Sequence, residues 1–432
     1  MIDLKRLRDA PEEFKAAAAR RDAGLVSQLD DILRLDSHRR ALVQQVEALK
    51  ADRNQASEEV ARLKRQGAGA GAGADATELL TRLKDLSKTI KEQDHELREA
   101  DRSLKEGLLG IPNPPLESVP EGDTSANQEL RSWGERPRFT FEPKPHWELG
   151  EALGTLDLAR GAKVTGSGFP FYTGQGSRLV RSLINFMLDL HTQEHGYHEM
   201  WPPALINEDS ARGTGQLPDL ENNMYVTEDG LYLAPTAEVP VTNFHRNEIL
   251  SGEQLPLSYA AYAPCFRREA GAHGKDTRGI IRIHQFDKVE LVRYCTPGTS
   301  SDQLELLLGH AEAVLQRLRL PYRVLVLASG DTGFSSAKTY DLEVWAAGVD
   351  TWLEVSSASV CTDFQARRAN IRYRPEPGAK PAFVHTLNAS GLALPRTIIA
   401  LLENNQQEDG SVRIPEALVP YMGVDRLTPN GA

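Results

Sequence analysis

Between Ala263 and Val292 the sequence reads APCFRREAGAHGKDTRGIIRIHQFDKVELV, a stretch with the make-up of a site that handles anions. Arg267 and Arg268 end a strand-like run, and Gly271, Gly274, Lys275, Arg278 and Gly279 fill the loop after it. A second strand-like run carries Gln285, Phe286, Lys288 and Glu290. Folded as a strand–loop–strand hairpin, the segment sets several guanidinium groups on one surface, and arginine's planar fork suits bidentate binding of carboxylate or phosphate. The glycines let the backbone approach a ligand closely. A basic hairpin closed by surface salt bridges would use the same residues, so the segment by itself defines only a candidate. Common nucleotide and metal signatures fail on spacing. Gly274-Lys275 is followed by Asp276 and lacks the upstream glycine of a phosphate loop, and no GxGxxG follows a strand. There is no HExxH, and the 11 histidines are scattered.

The elements that must position this segment belong to a chain of 432 residues, long enough for two or three domains. Hydrophobic residues make up 40% and charged residues 26%, a globular mixture that excludes collagen-like or wholly disordered chains. No apolar run approaches the roughly 18 residues of a membrane span. The opening MIDLKRLRDAPEEF has no apolar core of a secretory signal. Cys265, Cys295 and Cys361 lie far apart with no CxxC pair, so neither a disulfide framework nor a zinc knuckle is expected, and the cytoplasm is the expected compartment. Cys361 reads as a small buried side chain. The formal net charge of −11, taken globally, argues against a nucleic-acid partner.

One boundary stands out. Alternating steps of four and three from Leu25 select Gln28, Ile32, Leu35, Arg39, Leu42, Val46, Leu49, Arg53, Ala56, Val60 and Leu63, and nine of the twelve are apolar. A second run selects Leu79, Leu83, Leu86, Ile90, Gln93, Leu97, Ala100 and Leu104. Such a 3.5-residue period is a coiled-coil seam. GAGAGAGA, Gly67 to Ala74, lies between the runs and permits a chain reversal. An antiparallel helical hairpin about 60 Å long is therefore expected. From Lys50 to Lys91 nine Lys/Arg face six Asp/Glu, so the tip half is net +3 within an acidic chain. A dimerisation rod or rigid spacer is the bland alternative.

After Leu109 the pattern stops at the proline-rich GIPNPPLESVPEGDTSANQ. The expected division is 1–110 hairpin, 111–132 linker and 133–432 a mixed domain. In the last of these, LVRSLINFMLDLHTQEHG, SDQLELLLGHAEAVLQRLRL and PRTIIALLENNQ read as helices. LYLAP, IRIHQFDKVELVRY, YRVLVLA and TWLEVSS read as strands. Strands and helices do not alternate strictly, so an α+β fold is favoured over a doubly wound parallel sheet.

FRREAG, DTRG and HQFDKVE together resemble motif 2 of the class II aminoacyl-tRNA synthetases, in the form found in seryl-tRNA synthetases. PTAEVP (235–240) resembles that family's serine-binding segment, and EVSSASVCTDFQARRANIRYR (354–374) its ATP- and metal-binding segment. NASGLALPRTIIALLENNQQEDGSVRIPEALVPYMG (388–423) resembles motif 3, and the helix before GYHEMWPPALIN resembles motif 1, with Pro203 at the dimer-interface proline. The N-terminal hairpin is similar to the family's tRNA-binding arm. In order, these segments cover essentially the whole chain. The resemblance implies an antiparallel class II sheet flanked by helices, and a homodimer that activates L-serine with ATP and Mg²⁺. It then charges tRNA(Ser), and tRNA(Sec) where an organism has one.

Residue by residue, the resemblance implies that Thr236, Ala237, Glu238, Arg267, Glu290 and Ser390 bind serine. Thr386 and Asn388 are further contacts. Arg267, Arg268, Glu269, Ile283, Glu354, Val355, Ser356, Ser357 and Arg396 fall to ATP, and Glu354 and Ser357 to the metal. Arg267 would neutralise the α-phosphate and the serine carboxylate, and Arg396 the γ-phosphate. Three positions depart from the family's usual residues: Pro395, which a helix N-terminus tolerates, and Ala358 and Val360, neither at an implied ligand position. Two rival classes remain. An adenylating enzyme that loads a carrier protein would lack a full hairpin, and a non-catalytic RNA-binding or structural paralogue would have lost Arg267, Glu354 or Arg396.

Overall fold

The computed structural model describes residues 1–66, 72–219, 223–269 and 278–429. Gly67 to Gly71 of the expected hairpin turn, and Gly271, Gly274 and Lys275 of the basic loop, lie outside the described residues. The chain divides into two compact units, one of Leu4–Ala19 with Ala23–Ile111 and one of Met1–Asp3, Arg20–Asp22 and Pro112–Ala432.

The smaller unit holds two short helices, α1 (Leu4–Asp9) and α2 (Pro11–Ala19), and two long ones, α3 (Leu25–Gln66) and α4 (Ala72–Gly110). The last two lie antiparallel, tied by Lys50–Asp94 at 3.0 Å and by Arg39–Asp101. The apolar seam does most of the work. Ile32, Leu42, Val46, Ala56 and Val60 of α3 are buried, as are Ile90, Ala100 and Leu104 of α4. At its start the seam departs from the heptad count: Gln28 is exposed and Leu29 is fully buried. Asp36 is buried beside it and pairs with Arg8 of α1 at 3.6 Å, so the short helix draws the base of the stripe round by one residue.

In the larger unit one eight-stranded sheet positions everything that follows. In chain order its strands are β1 (Gln128–Trp133), β2 (His198–Met200), β3 (Leu257–Phe266), β4 (Gln285–Cys295), β5 (Tyr322–Val326), β6 (Lys338–Ala346), β7 (Thr351–Thr362) and β8 (His385–Ala393). Their spatial order is β1-β5-β6-β7-β8-β4-β3-β2, antiparallel except where β2 runs parallel to β3. Of the segment expected as a linker, 111–132, all but Ile111 belongs to this unit, and its last residues begin the edge strand β1. Its prolines remove backbone donors without preventing side-chain anchoring: Asn113 Nδ2 donates to the carbonyls of Ser335 and Cys361, each at 2.9 Å.

The helices that flank this sheet and frame its hollow include α5 (His146–Ala152), α6 (Gln175–Asp189), α7 (Glu238–Thr242), α8 (Ser300–Arg317), α9 (Phe364–Ala369) and α10 (Leu394–Asn404). Apolar residues of α6, α8 and α10 cover one sheet face, meeting Val289 and Leu291 of β4 and Leu387 and Ala389 of β8. Because side chains alternate along a strand, the intervening Lys288, Glu290, Asn388 and Ser390 point to the other face. That face carries a second apolar cluster around Val292 and Tyr294, and beside it a polar hollow. Of the expected strands, LYLAP shrinks to Tyr232–Leu233, paired with Leu205–Ile206 and bridged to Val226.

A buried pair anchors the far end of the basic loop. Glu403 of α10 accepts from the backbone and the Nδ1 of His146, at 2.9 and 2.8 Å, and from the N–H groups of Gly348 and Val349. His146 Nε2 in turn accepts from the Ile280 N–H at 3.0 Å. Gly279, with φ of +74°, passes so close that a Cβ there would lie 2.0 Å from that nitrogen. Glu403→Ala strands four donors in a dry interior and should cost about 3–5 kcal/mol of stability. A lower urea midpoint with an unchanged m-value is the expected readout.

Candidate active site

The hollow on the polar sheet face is a cavity of about 480 Å³. One part of it is built on β4 and α7. Thr236 Oγ1 donates to Glu290 Oε2 at 2.9 Å and accepts from Lys288 Nζ at 2.8 Å, while Lys288 and Glu290 form a buried ion pair. The neighbours opposite these two on β3 are Ala263 and Ala261, whose small side chains leave the space open. Glu238, at the first turn of α7, accepts from Gln365 Nε2 of α9 at 2.6 Å. Burial pushes its carboxyl up to about 7, and the nearby charge of Glu290 adds to the rise. Gln365 Oε1 accepts from Thr386 at 2.7 Å, so Thr386 stands behind this wall as support.

Arg267 also lines the cavity. Its backbone is held by the carbonyl of His284 at 2.8 Å, and its guanidinium lies 5.2 Å from the Phe286 ring. No acidic partner holds that guanidinium among the described residues. Elsewhere in the cavity Arg396, near the start of α10, donates to the Glu354 carbonyl at 2.8 Å and meets its carboxylate at 3.4 Å. Glu269 pairs with Arg282 at 3.1 Å, and Ile283 is buried alongside.

Glu354 and Ser357 share a face for a reason that spacing alone does not give. Three residues apart on a regular strand, they would point to opposite sides. In β7, however, Leu342 of β6 pairs with Ser356 and Glu343 pairs with Glu354, leaving one extra residue in β7. This β-bulge turns both oxygen donors into the cavity. Asp341 lies directly across from Ser357, and its Oδ1 is buried with no partner among the described residues.

Of the residues expected from sequence, Thr236, Glu238, Arg267, Glu269, Ile283, Glu290, Glu354, Val355, Ser357, Asn388, Ser390 and Arg396 line this one cavity. Ala237 packs instead into the second apolar cluster. Arg268 is exposed, and its backbone N–H donates to Asn223 at 2.9 Å. Ser356 is buried beneath the strand, with its hydroxyl on the Ser390 carbonyl at 2.6 Å. Lys288, Gln365 and Asp341 have no role that the sequence alone assigns. For Lys288 a signal existed, since it alternates with Glu290 on the same strand face.

A mostly antiparallel sheet with a charged cavity between its motif 2 hairpin and its C-terminal helix defines a class II aminoacyl-tRNA synthetase core. Residues 224–405 match the tRNA synthetase class II core domain (G, H, P, S and T), and residues 1–115 match the seryl-tRNA synthetase N-terminal domain. The serine–tRNA ligase of Carboxydothermus hydrogenoformans is 55% identical over 429 residues, covering 99% of each chain. That of Gemmatimonas aurantiaca is 54% identical over 98% of this chain and 99% of its own. The crystal structure of seryl-tRNA synthetase from Pyrococcus horikoshii complexed with ATP superposes with a TM-score of 0.93 at 38% identity, over 99% of this chain and 100% of that one. The chain belongs to the seryl-tRNA synthetase family, and its activity is that of a serine–tRNA ligase. No helix among the described residues is long and apolar enough to cross a membrane.

Proposed function

We propose that the cavity carries out the activation half of this ligation, with serine against β4 and α7 and ATP spread towards Arg396. The observation that carries the reading is the meeting, in one cavity, of Arg267 with two buried carboxylates on one side and a second arginine with an oxygen-rich bulge on the other. A serine carboxylate oxygen attacks the α-phosphorus of ATP, the bond from that phosphorus to the bridging oxygen breaks, and pyrophosphate leaves. No general base is required, since a carboxylic acid with pKa near ~3.5 is already ionised. The work is positioning and charge stabilisation. Arg267, with no acidic partner among the described residues, stands between the two anions. Arg396 exchanges its contacts with Glu354 for the terminal phosphate, and Glu269 with the backbone at Ile283 contacts adenosine. Val355 completes the nucleotide side, while Ala237 and Ser356 support the site from behind it.

Glu238 accepts the substrate ammonium, and Thr236, Glu290 and Ser390 surround its hydroxyl. A carboxyl raised to about 7 is largely protonated at pH 6 and ionised at pH 8. Serine kcat/KM in ATP–pyrophosphate exchange should therefore rise about tenfold across that interval. Glu238→Gln should remove that limb of the profile.

The Glu354 carboxylate and the Ser357 hydroxyl line the cavity together as hard oxygen donors of the kind that suits Mg²⁺, with Asp341 Oδ1, buried without a partner among the described residues, on the neighbouring strand. Glu354 and Ser357 would hold the ion, which supplies charge neutralisation to the phosphates. After activation, the terminal ribose hydroxyl of tRNA attacks the carbonyl carbon and AMP leaves. We read the helical hairpin as the arm that grips tRNA(Ser), and tRNA(Sec) where one exists. The homodimer is supported by apolar exposure beside Pro203, where Trp201 is 78% exposed. Three free, buried thiols fit a reducing cytoplasm. Serine-dependent ATP–pyrophosphate exchange followed by transfer to tRNA tests the reading, and exchange with another amino acid but not with serine would overturn it.

A further inference from the structure

Lys288 is a charged side chain at the start of the buried stretch of β4, only 6% exposed. A buried ammonium is costly and is kept where it is paired and hydrogen-bonded. Here it touches two groups, Thr236 Oγ1 at 2.8 Å and the Glu290 carboxylate, and both belong to the proposed serine site. Thr236 closes the triangle by donating to Glu290 Oε2, so that carboxylate oxygen is committed within the protein. No hydrogen bond reaches Glu290 Oε1 among the described residues. An ammonium has three N–H donors, and two of them are engaged.

The result is an adjacent acceptor and donor lining the same cavity. A hydroxyl is the group that uses both, giving its hydrogen to a carboxylate and receiving an N–H on its oxygen. A methyl group uses neither, and a thiol is a weak partner for both. We propose that Lys288 is a specificity-determining residue of the amino-acid site. It clamps Thr236 and Glu290 so that the free carboxylate oxygen faces the substrate hydroxyl hydrogen, and it offers its third N–H to the hydroxyl oxygen. This rests on the reading of the cavity as the serine site.

The test compares serine, alanine and cysteine as substrates in ATP–pyrophosphate exchange by Lys288→Met, Lys288→Arg and Glu290→Gln enzymes, with ATP affinity and thermal melting as controls. Lys288→Met should lower the serine-to-alanine ratio of kcat/KM by ~100-fold or more, since unpaired polar groups are what reject the analogue. The serine-to-cysteine ratio should fall in the same direction. ATP affinity should hardly change, and Lys288→Arg, which keeps the charge, should recover part of the discrimination. A residue that merely braced the fold would lower all three substrates together, and that outcome, or an unchanged ratio, overturns the proposal. If the methionine variant does not fold, the comparison passes to Lys288→Gln against Lys288→Arg, with the same two outcomes. Glu290→Gln separates the layers. Loss of discrimination there but not at Lys288 rejects the role of Lys288 alone, whereas no loss at Glu290 rejects the serine site itself.

Discussion

Replacing Arg267 with alanine should reduce serine-dependent ATP–pyrophosphate exchange by ~10³-fold or more, since a preorganised cation at developing charge is usually the largest catalytic contribution. The serine carboxylate and the α-phosphate must approach one another, and their repulsion grows as water leaves the cavity. No acidic side chain claims this guanidinium among the described residues. Its own polar contact is a 3.4 Å approach from Nε to the Pro235 carbonyl, and its ring contact with Phe286 is 5.2 Å away. Because the side chain is so lightly engaged, the melting temperature of Arg267→Ala should stay close to that of the parent. Lysine at 267 should recover only part of the activity, because a point charge cannot bridge two anions as a fork does. Exchange at near-normal rates in the folded alanine variant would remove Arg267 from the chemistry.

The second large effect concerns the hairpin. Excising residues 50–91 and closing the shortened helices with a flexible turn should lower tRNA charging on the order of 100-fold, as phosphate contacts are lost. Serine-dependent exchange should remain within about twofold, because that half-reaction involves no tRNA. The base of the hairpin keeps Arg39–Asp101, His38–Glu96 at 3.6 Å, and the buried Leu42 and Val46. The excised half carries the +3 surplus in a chain of −11. Charging by the full-length protein should therefore weaken steeply with salt, and by the shortened one less steeply. If charging survives the excision, the hairpin is a spacer.

The coiled-coil stripe was legible because a 3.5-residue period needs no partner outside the two helices to be recognised. It slipped only at Gln28 and Leu29, where Asp36 and the short helix α1 intervene. The second motif 2 strand was legible from Gln285 onward, where Lys288, Glu290, Val292 and Tyr294 alternate with Val289 and Leu291, but the expected stretch Ile281–His284 before it is not strand. The segment 111–132 misled because prolines and few apolar residues look the same in a free linker and in a chain whose Asn113 is held by the carbonyls of Ser335 and Cys361 and whose last residues add an edge strand.

Residue types and their order along the chain thus determined the α+β class, the family, the hairpin and most of the residues that line the cavity. Each of these is written in local period or in a short contiguous motif. Only the tertiary structure decided how donors far apart in sequence share a site. The β7 bulge puts Glu354 and Ser357 on one face, and the strand pairing sets Glu290 opposite Ser390. Gln365 reaches Glu238 across 127 positions, and Lys288 reaches Thr236 across 52. Such contacts depend on strand register and on which side chains are buried together, and neither quantity exists until the sheet has formed.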